Sequence, residues 1–243
     1  MSRTGRILRK LKSLKPVMLG HARVSYSQHG EDIIVFNFLN WYGVKDVRYL
    51  DIGANDPVRD NNTYLLYNLG HRGVLIEPNP TLAQHIKKVR PADTCLNLGI
   101  GIEPGTHEAD YYMFAESHGA LNTFSKEDAD RYKQEGYTLQ KMMKMPLQGI
   151  NEIVQKHLGS APTYMSLDVE GLDEAILRTY DFDRYAPLLL CVETAVFSRV
   201  GEMEKRKDLI DLVTSKGYFV YADTNANTLF CHRAQFDKIL SSR

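Results

Sequence analysis

The sequence predicts an α/β fold, a mostly parallel sheet with helices on both faces. Three observations carry that expectation. Short apolar runs alternate with helical stretches along almost the whole chain, the pattern of a sheet buried between two helical layers. The run Arg48-Tyr-Leu-Asp-Ile-Gly-Ala-Asn55 reads as a buried strand ending in a glycine turn, with the acid Asp51 just before it. One strand-plus-helix unit later, Gly73-Val-Leu-Ile-Glu-Pro78 is a second apolar strand that ends in an acid, Glu77. Strand, glycine turn, helix and carboxylate-tipped strand form the frame of a nucleoside-cofactor pocket.

Taken in order, residues 1–24 read as a basic arm and 25–243 as one folded domain. Residues 1–23 hold Arg3, Arg6, Arg9, Lys10, Lys12, Lys15 and Arg23 and no acid, so the neutral chain has an acidic remainder. The plain reading of the arm is a solvated tail. The sharper one is a face of Ile7, Leu8, Leu11 and Leu14 that docks on an anionic surface or a partner subunit. Tyr26-Ser-Gln-His-Gly-Glu-Asp32 introduces a helix over Ile33 to Trp41, with Ser27 as cap and acids in its first turn. A strand follows at 48–52, a helix at Asn62–Leu69 closed by Gly70, a strand at 73–77, and a helix from Pro80 to Val89. A third strand is expected at Thr94–Gly99. Residues 105–146 break the rhythm with a strand (Tyr111–Phe114), a polar turn (Glu116–Asn122) and a charged helix (Lys126–Glu135). They read as an insertion on the substrate side of the ligand rim. Then come a strand at Tyr164–Asp168, a short helix at Glu170–Leu177, a strand at Leu188–Glu193 and a helix over 202–216. A closing hairpin, Tyr218–Ala222 and Thr228–His232, adds an antiparallel strand at or near one edge.

Composition narrows the function. No apolar run is long enough to span a membrane, and no apolar leader precedes the domain. The acidic folded part argues against nucleic acid as a partner. Cys95, Cys191 and Cys231 each sit in an apolar run without a CxxC pair, which predicts buried thiols, no thiolate metal site and a reducing cytoplasm.

The turn itself discriminates between cofactors. A dinucleotide turn needs three glycines so that a pyrophosphate can rest on the helix N-terminus. Here Asn55 and Pro57 take the second and third positions, and Asp56 and Asp60 add negative charge where phosphates would lie. That charge suits the ammonium and sulfonium groups of S-adenosylmethionine. A nicotinamide-dependent oxidoreductase fits the strand order and not the turn. A non-catalytic relative that binds a glycan or a partner is a third reading.

Asp51-Ile-Gly-Ala-Asn55, Asn62-Thr63, Gly73–Pro78 and Leu167-Asp-Val-Glu-Gly171 resemble the FkbM-type S-adenosylmethionine-dependent methyltransferases. So do Ser27-Gln-His-Gly-Glu-Asp32 and Leu121-Asn-Thr-Phe124, and the resemblance spans residues 25–233. It implies the class I methyltransferase (Rossmann-like) fold with a seven-stranded sheet. It also implies methyl transfer to a hydroxyl, mostly of a sugar in a glycan, of a nucleotide-linked sugar or of a polyketide alcohol. Asp56-Pro57 departs from relatives that carry a small residue there.

The resemblance and the local chemistry together assign roles. Asp51 and the turn Gly53, Ala54 and Asn55 face the methionyl end of the cofactor, and Glu77 takes the ribose diol. Asn97, Gly99 and Ile100 face the adenine, Asn62 and Thr63 the cofactor carboxylate, and Gln28 contacts or closes over the cofactor. Glu31 and Asp32 favour the helix dipole. Asp168, Glu193 and Glu170 are the catalytic candidates, with His118 a further base and His29 a weaker one. Asp168 and Glu193 either work directly on the hydroxyl or hold a divalent ion, magnesium or manganese. Capping, or pairing with Arg178 or Arg199, is the plain reading of these acids. The aromatics Tyr111, Tyr112, Phe114 and Phe124 line a sugar face or pack a core.

Overall fold

A computed structural model describes residues 17, 20–115, 121–169, 171–196 and 204–243. Among them, seven strands form one sheet, in the spatial order β11 (Tyr218–Asp223), β12 (Asn227–His232), β8 (Leu189–Glu193), β7 (Tyr164–Leu167), β1 (Arg48–Ile52), β2 (Arg72–Ile76) and β3 (Thr94–Leu96). The centre is β1 (Arg48–Ile52), paired in parallel with β2 (Arg72–Ile76) and β7 (Tyr164–Leu167). β3 (Thr94–Leu96) extends β2, and β8 (Leu189–Glu193) extends β7, both in parallel. β12 (Asn227–His232) is antiparallel to β8 and to the edge strand β11 (Tyr218–Asp223), as the closing hairpin predicts.

Strand residues alternate between two cores. Leu50, Ile52, Val74, Ile76, Met165, Leu167, Leu190 and Val192 pack on one face, and Tyr49, Leu75, Tyr164, Cys191, Leu229 and Cys231 on the other. The second face is covered by α1 (Glu31–Trp41) through Val35, Phe38 and Leu39, by α2 (Tyr64–Asn68) through Leu66, and by α3 (Pro80–Val89) through Ala83 and Ile86. With a side-chain period of two, Asp51 follows Tyr49, Ser166 follows Tyr164, Glu193 follows Cys191, and Asn227 precedes Leu229 on this same face. All three cysteines are buried and free.

Several boundaries differ from the sequence reading. The third strand stops at Leu96, because the Asn97 side-chain nitrogen bonds the carbonyls of Glu77 and Pro78 and turns the chain. Gly99–Ile100 then forms β4, paired with β6 (Leu139–Gln148) outside the main sheet. β6 is a strand the sequence reading missed. It runs antiparallel to β5 (Glu108–Phe114), so the insertion is a twisted ribbon reaching Gln148. The helix α4 (Lys126–Gln134), capped by the Ser125 hydroxyl, packs on the ribbon through a small core of Tyr112, Phe114 and Ala129. In place of a helix from 202, β10 (Glu204–Lys205) pairs as a short strand with β9 (Ala195–Val196), and the helix begins at Lys207. A C-terminal helix, Arg233–Ser241, capped by His232, was also not foreseen.

Candidate active site

The turn after β1 is shaped by how closely it approaches β7. Gly53 has φ +81°, and a Cβ there would stand 1.9 Å from the carbonyl oxygen of Asp168. Only glycine fits both the left-handed backbone and that contact. Asn55 is also left-handed, at φ 49°. Asp56 spends its carboxylate locally, accepting from the backbone nitrogens of Val58 and Arg59 at 2.9 and 2.8 Å.

Asp51 is buried, and its Oδ2 accepts from the Thr63 hydroxyl at 2.5 Å. Burial raises it above the ordinary carboxylate range, and the nearby Arg90 guanidinium opposes that shift. The residue that organises this turn is Asn61, which sequence reasoning passed over in favour of its neighbours. The Asn61 side-chain nitrogen donates to the carbonyls of Ala54 and Asp56 at 2.9 and 3.1 Å, while its oxygen accepts from the backbone nitrogens of Thr63 and Tyr64. Asn62 instead reaches across to the Ser166 hydroxyl at 3.0 Å. An asparagine just before a helix is a capping signal, and that was the available clue.

At the tip of β2, Glu77 is buried, and its two oxygens accept from the backbone nitrogens of Asn55 (2.8 Å) and Asn79 (2.7 Å). Burial pushes it up to about 7 against the pull of these two bonds. It thereby ties the first turn to the second. Asn97 is committed to the turn after β2, and Gly99 and Ile100 lie in β4, with Phe124 and Leu147 over the glycine. The insertion comes close here as well. Burial raises the Tyr111 hydroxyl and the Glu77 charge adds to that shift, while the Tyr111 and Phe124 rings stand 4.7 Å apart.

Asp168 and Glu193 meet at the ends of β7 and β8, which pair at Leu167 and Val192. Burial raises Asp168 well above the usual range, and the adjoining Glu193 carboxyl, within hydrogen-bonding reach, raises it further. Asp173 stands nearby, but its carboxylate accepts from the backbone nitrogens of Val169 and Gly171, both at 3.3 Å. Arg178 bonds Glu174 and so does not neutralise the pair. Glu170, His118 and Arg199 lie outside the described residues. Among the described residues, no three His, Cys, Asp or Glu side chains gather as a metal-binding group.

The segment 25–32 crosses the same end of the sheet. Its two acids do more than favour a helix dipole. Asp32 folds the segment, accepting from the hydroxyls of Ser25 and Ser27 and the backbone nitrogen of Tyr26. Glu31 reaches almost two hundred residues along the chain, accepting from the Thr224 hydroxyl at 2.7 Å and the Asn227 amide at 2.9 Å. Burial raises Glu31, but the bonds from Asn227 and Thr224 outweigh it and leave the group below its ordinary value. Asn227 is the ladder partner of Glu193, and at the other end Tyr26 accepts from the Asn61 nitrogen. Gln28 and His29, both exposed, therefore sit on a strap fastened between the β1 turn and the β8–β12 tip. Behind that tip Lys205 bonds Asp223, the Thr194 hydroxyl and the carbonyl of Thr224.

The sequence profile described as the methyltransferase FkbM domain matches residues 51–220. No curated protein matches the chain. Among solved structures, a TehB-like SAM-dependent methyltransferase from Corynebacterium glutamicum is 9% identical with a TM-score of 0.42, over 94% of this chain and 97% of that one. SAM-bound CalS10, an amino pentose methyltransferase from Micromonospora echinaspora, is 10% identical with a TM-score of 0.43, over 90% of this chain and 96% of its own. Likenesses this distant carry nothing about chemistry.

Proposed function

Because the chain belongs to the FkbM methyltransferase family, we propose that it moves the methyl group of S-adenosylmethionine onto a hydroxyl of a sugar-bearing acceptor, a nucleotide-linked sugar or a glycan. One observation carries this reading. Four carboxyl groups, Glu77, Asp51, Asp168 and Glu193, stand at or beside the carboxyl ends of the adjacent strands β2, β1, β7 and β8. Ligands of open α/β sheets bind at those strand ends, and partly buried negative charge favours a cation there. The residues present fit the donor: a glycine turn brings backbone close, and the buried Glu77 carboxyl stands where a ribose diol is accepted.

When bound, the donor supplies an electrophilic methyl on a positively charged sulfur. The chain's own residues do the rest. The turn Asp51–Asn55 orients the methionyl end and Glu77 the ribose, while Asn62, Thr63, Asn97, Gly99 and Ile100 border the pocket. Burial and the adjoining Glu193 carboxyl hold Asp168 well above the usual carboxylate range, which makes it a stronger base once ionised. It orients the acceptor hydroxyl and takes its proton as oxygen bonds to the methyl carbon. The methyl–sulfur bond breaks with its electron pair staying on sulfur. The strap 26–31 and the ribbon with Tyr111 and Phe124 border the space and exclude water.

Two carboxyls alone make a short donor set for magnesium or manganese, and Glu170, the next carboxylate along the chain, lies outside the described residues. The pair's proposed role is proton handling, and turnover that survives chelator decides against a metal. No helix among the described residues is long and apolar enough to cross a membrane, and buried free thiols suit a reducing compartment, so the cytoplasm is proposed as the place of action.

The test is release of S-adenosylhomocysteine against a panel of nucleotide sugars and oligosaccharides, with and without chelator. Donor-dependent turnover on a sugar that survives chelation is expected. Product binding without turnover on any acceptor would favour the non-catalytic relative, and binding of NAD in its place would favour the oxidoreductase.

A further inference from the structure

Arg90 ends α3 and is fully buried, and nothing in the proposed reaction uses it. We propose that Arg90 is a positioning residue for the methionyl half of the donor pocket, acting through Asn61 and Thr63. The inference rests on the donor site assigned above and adds to it a residue that touches no ligand.

The guanidinium is held from two sides. On one side Nε donates to Asp93 Oδ2 at 2.9 Å and Nη2 to the Tyr49 hydroxyl at 3.1 Å. Asp93 is itself secured by the Tyr49 hydroxyl and by the backbone nitrogen of Gly73. That side alone gives the charge a buried ion-pair partner. The remaining bonds go the other way, to the donor turn. Nη1 donates to Asn61 Oδ1 at 3.0 Å and Nη2 to Thr63 Oγ1 at 3.0 Å.

Each of these bonds settles a direction. Arginine carries donors and no acceptor, so the Asn61 atom that faces it is the amide oxygen. The amide nitrogen is then turned toward the carbonyls of Ala54 and Asp56, where it holds the turn. The Thr63 hydroxyl accepts from Arg90, and its single hydrogen faces Asp51 at 2.5 Å and Asn61 Oδ1 at 3.1 Å. The charged, nearer carboxylate takes it, since the amide oxygen already accepts from Arg90 and from the backbone nitrogens of Thr63 and Tyr64. One buried side chain thus fixes the amide that shapes the turn and the hydroxyl that aims the Asp51 carboxylate. Lysine, a compact charge without the planar fork, cannot span Asp93, Asn61 and Thr63 together.

The test uses the full chain and two probes, S-adenosylhomocysteine and 5′-methylthioadenosine, which keeps the nucleoside and lacks the amino acid. Isothermal titration of Arg90→Lys is expected to show S-adenosylhomocysteine weakened roughly tenfold or more and methylthioadenosine by less than about threefold. Thr63→Val deletes only the hydroxyl between Arg90 and Asp51. It is expected to give the same split, and it keeps the test open if Arg90→Lys does not fold. Asp93→Asn, on the far side of the guanidinium, is expected to lower Tm while leaving the ratio of the two affinities as in the wild type. An equal loss of both probes in Arg90→Lys or Thr63→Val means a merely structural role and overturns the proposal, as does unchanged S-adenosylhomocysteine affinity in either folded variant. Failure of the wild type to bind S-adenosylhomocysteine strikes the proposed function itself, so the two failures are told apart.

Discussion

The carbonyl oxygen of Asp168 occupies the place where a side chain on Gly53 would begin, 1.9 Å from an ideal Cβ. The turn assigned to the donor and the strand end assigned to the acceptor are thus in van der Waals contact through backbone alone. Their spacing is set by the absence of one carbon, and a change on either side is transmitted to the other.

Gly53→Ala follows directly. The added methyl meets backbone, which cannot rotate away, and alanine at φ +81° is strained in any case. The variant is expected to lose at least about 2 kcal/mol in urea unfolding and to show no measurable binding of S-adenosylhomocysteine. Wild-type affinity in a folded Gly53→Ala would mean the turn does not border the donor.

Glu77 makes the site pH-dependent. Its folded value of about 7 lies above the ordinary glutamate range. Between the two, the folded protein keeps a proton that the unfolded chain has released. Stability therefore falls as pH rises through that window and levels off above about 7, by a contribution on the order of 3 kcal/mol. Binding runs the other way, since the ribose hydroxyls donate to the ionised form, so S-adenosylhomocysteine affinity is expected to rise from pH 6 to pH 8. Glu77→Gln should bind at least about tenfold more weakly, lose the affinity trend, and keep only the part of the stability trend that Asp51 and Asp168, both raised by burial, supply. The check is titration and urea unfolding of both proteins across that range.

Glu31 fastens the strap. Glu31→Ala leaves the Asn227 amide and the His29 nitrogen without their acceptor and removes the nearer of the two that the Thr224 hydroxyl faces, a loss of about 2–4 kcal/mol for bonds to a buried charge. Glu31→Gln keeps the reach and not the charge, and should lose about half of that. Because Glu31 is held below its ordinary value, its contribution is present above the unfolded glutamate range and disappears as pH falls through the folded value. Thermal melts of Glu31→Gln should accordingly be less acid-sensitive than those of the wild type. Equal acid sensitivity would show that the carboxylate is not the fastening.

What the sequence made legible follows from range. β1, β2 and β7 are apolar runs bounded by turns, and their terminal acids were readable because a strand tip is a local feature. The bonds from Glu31 to Asn227 and from Arg90 to Asn61 join residues far apart in sequence, and no spacing rule signals them. β6 was missed for a different reason. Leu139, Met143, Met145 and Leu147 share its inner face, but Lys141 interrupts that face, Met142 lies on the exposed one and Pro146 falls within the run, so the alternation is hard to read without the partner β5. The third strand was drawn too long because Asn97 reads as a strand residue until its amide is seen holding the preceding turn.

Asp168 sets function against stability. Burial and the adjoining Glu193 carboxyl both oppose its ionisation, so the folded protein bears a cost that grows as pH rises from the unfolded aspartate range toward the raised folded value. Asparagine has the same shape, carries no charge and can donate to Glu193. Asp168→Asn is therefore expected to melt higher than the wild type at pH 8 and to differ little at pH 5. Its S-adenosylhomocysteine affinity should stay within about threefold while turnover falls at least about a hundredfold, the range lost with a general base. Differential scanning fluorimetry at the two pH values, paired with titration, reads both effects. A variant that is less stable at pH 8 would show that the pair is held by a favourable charge interaction, which would remove the reason for assigning it the acceptor's proton.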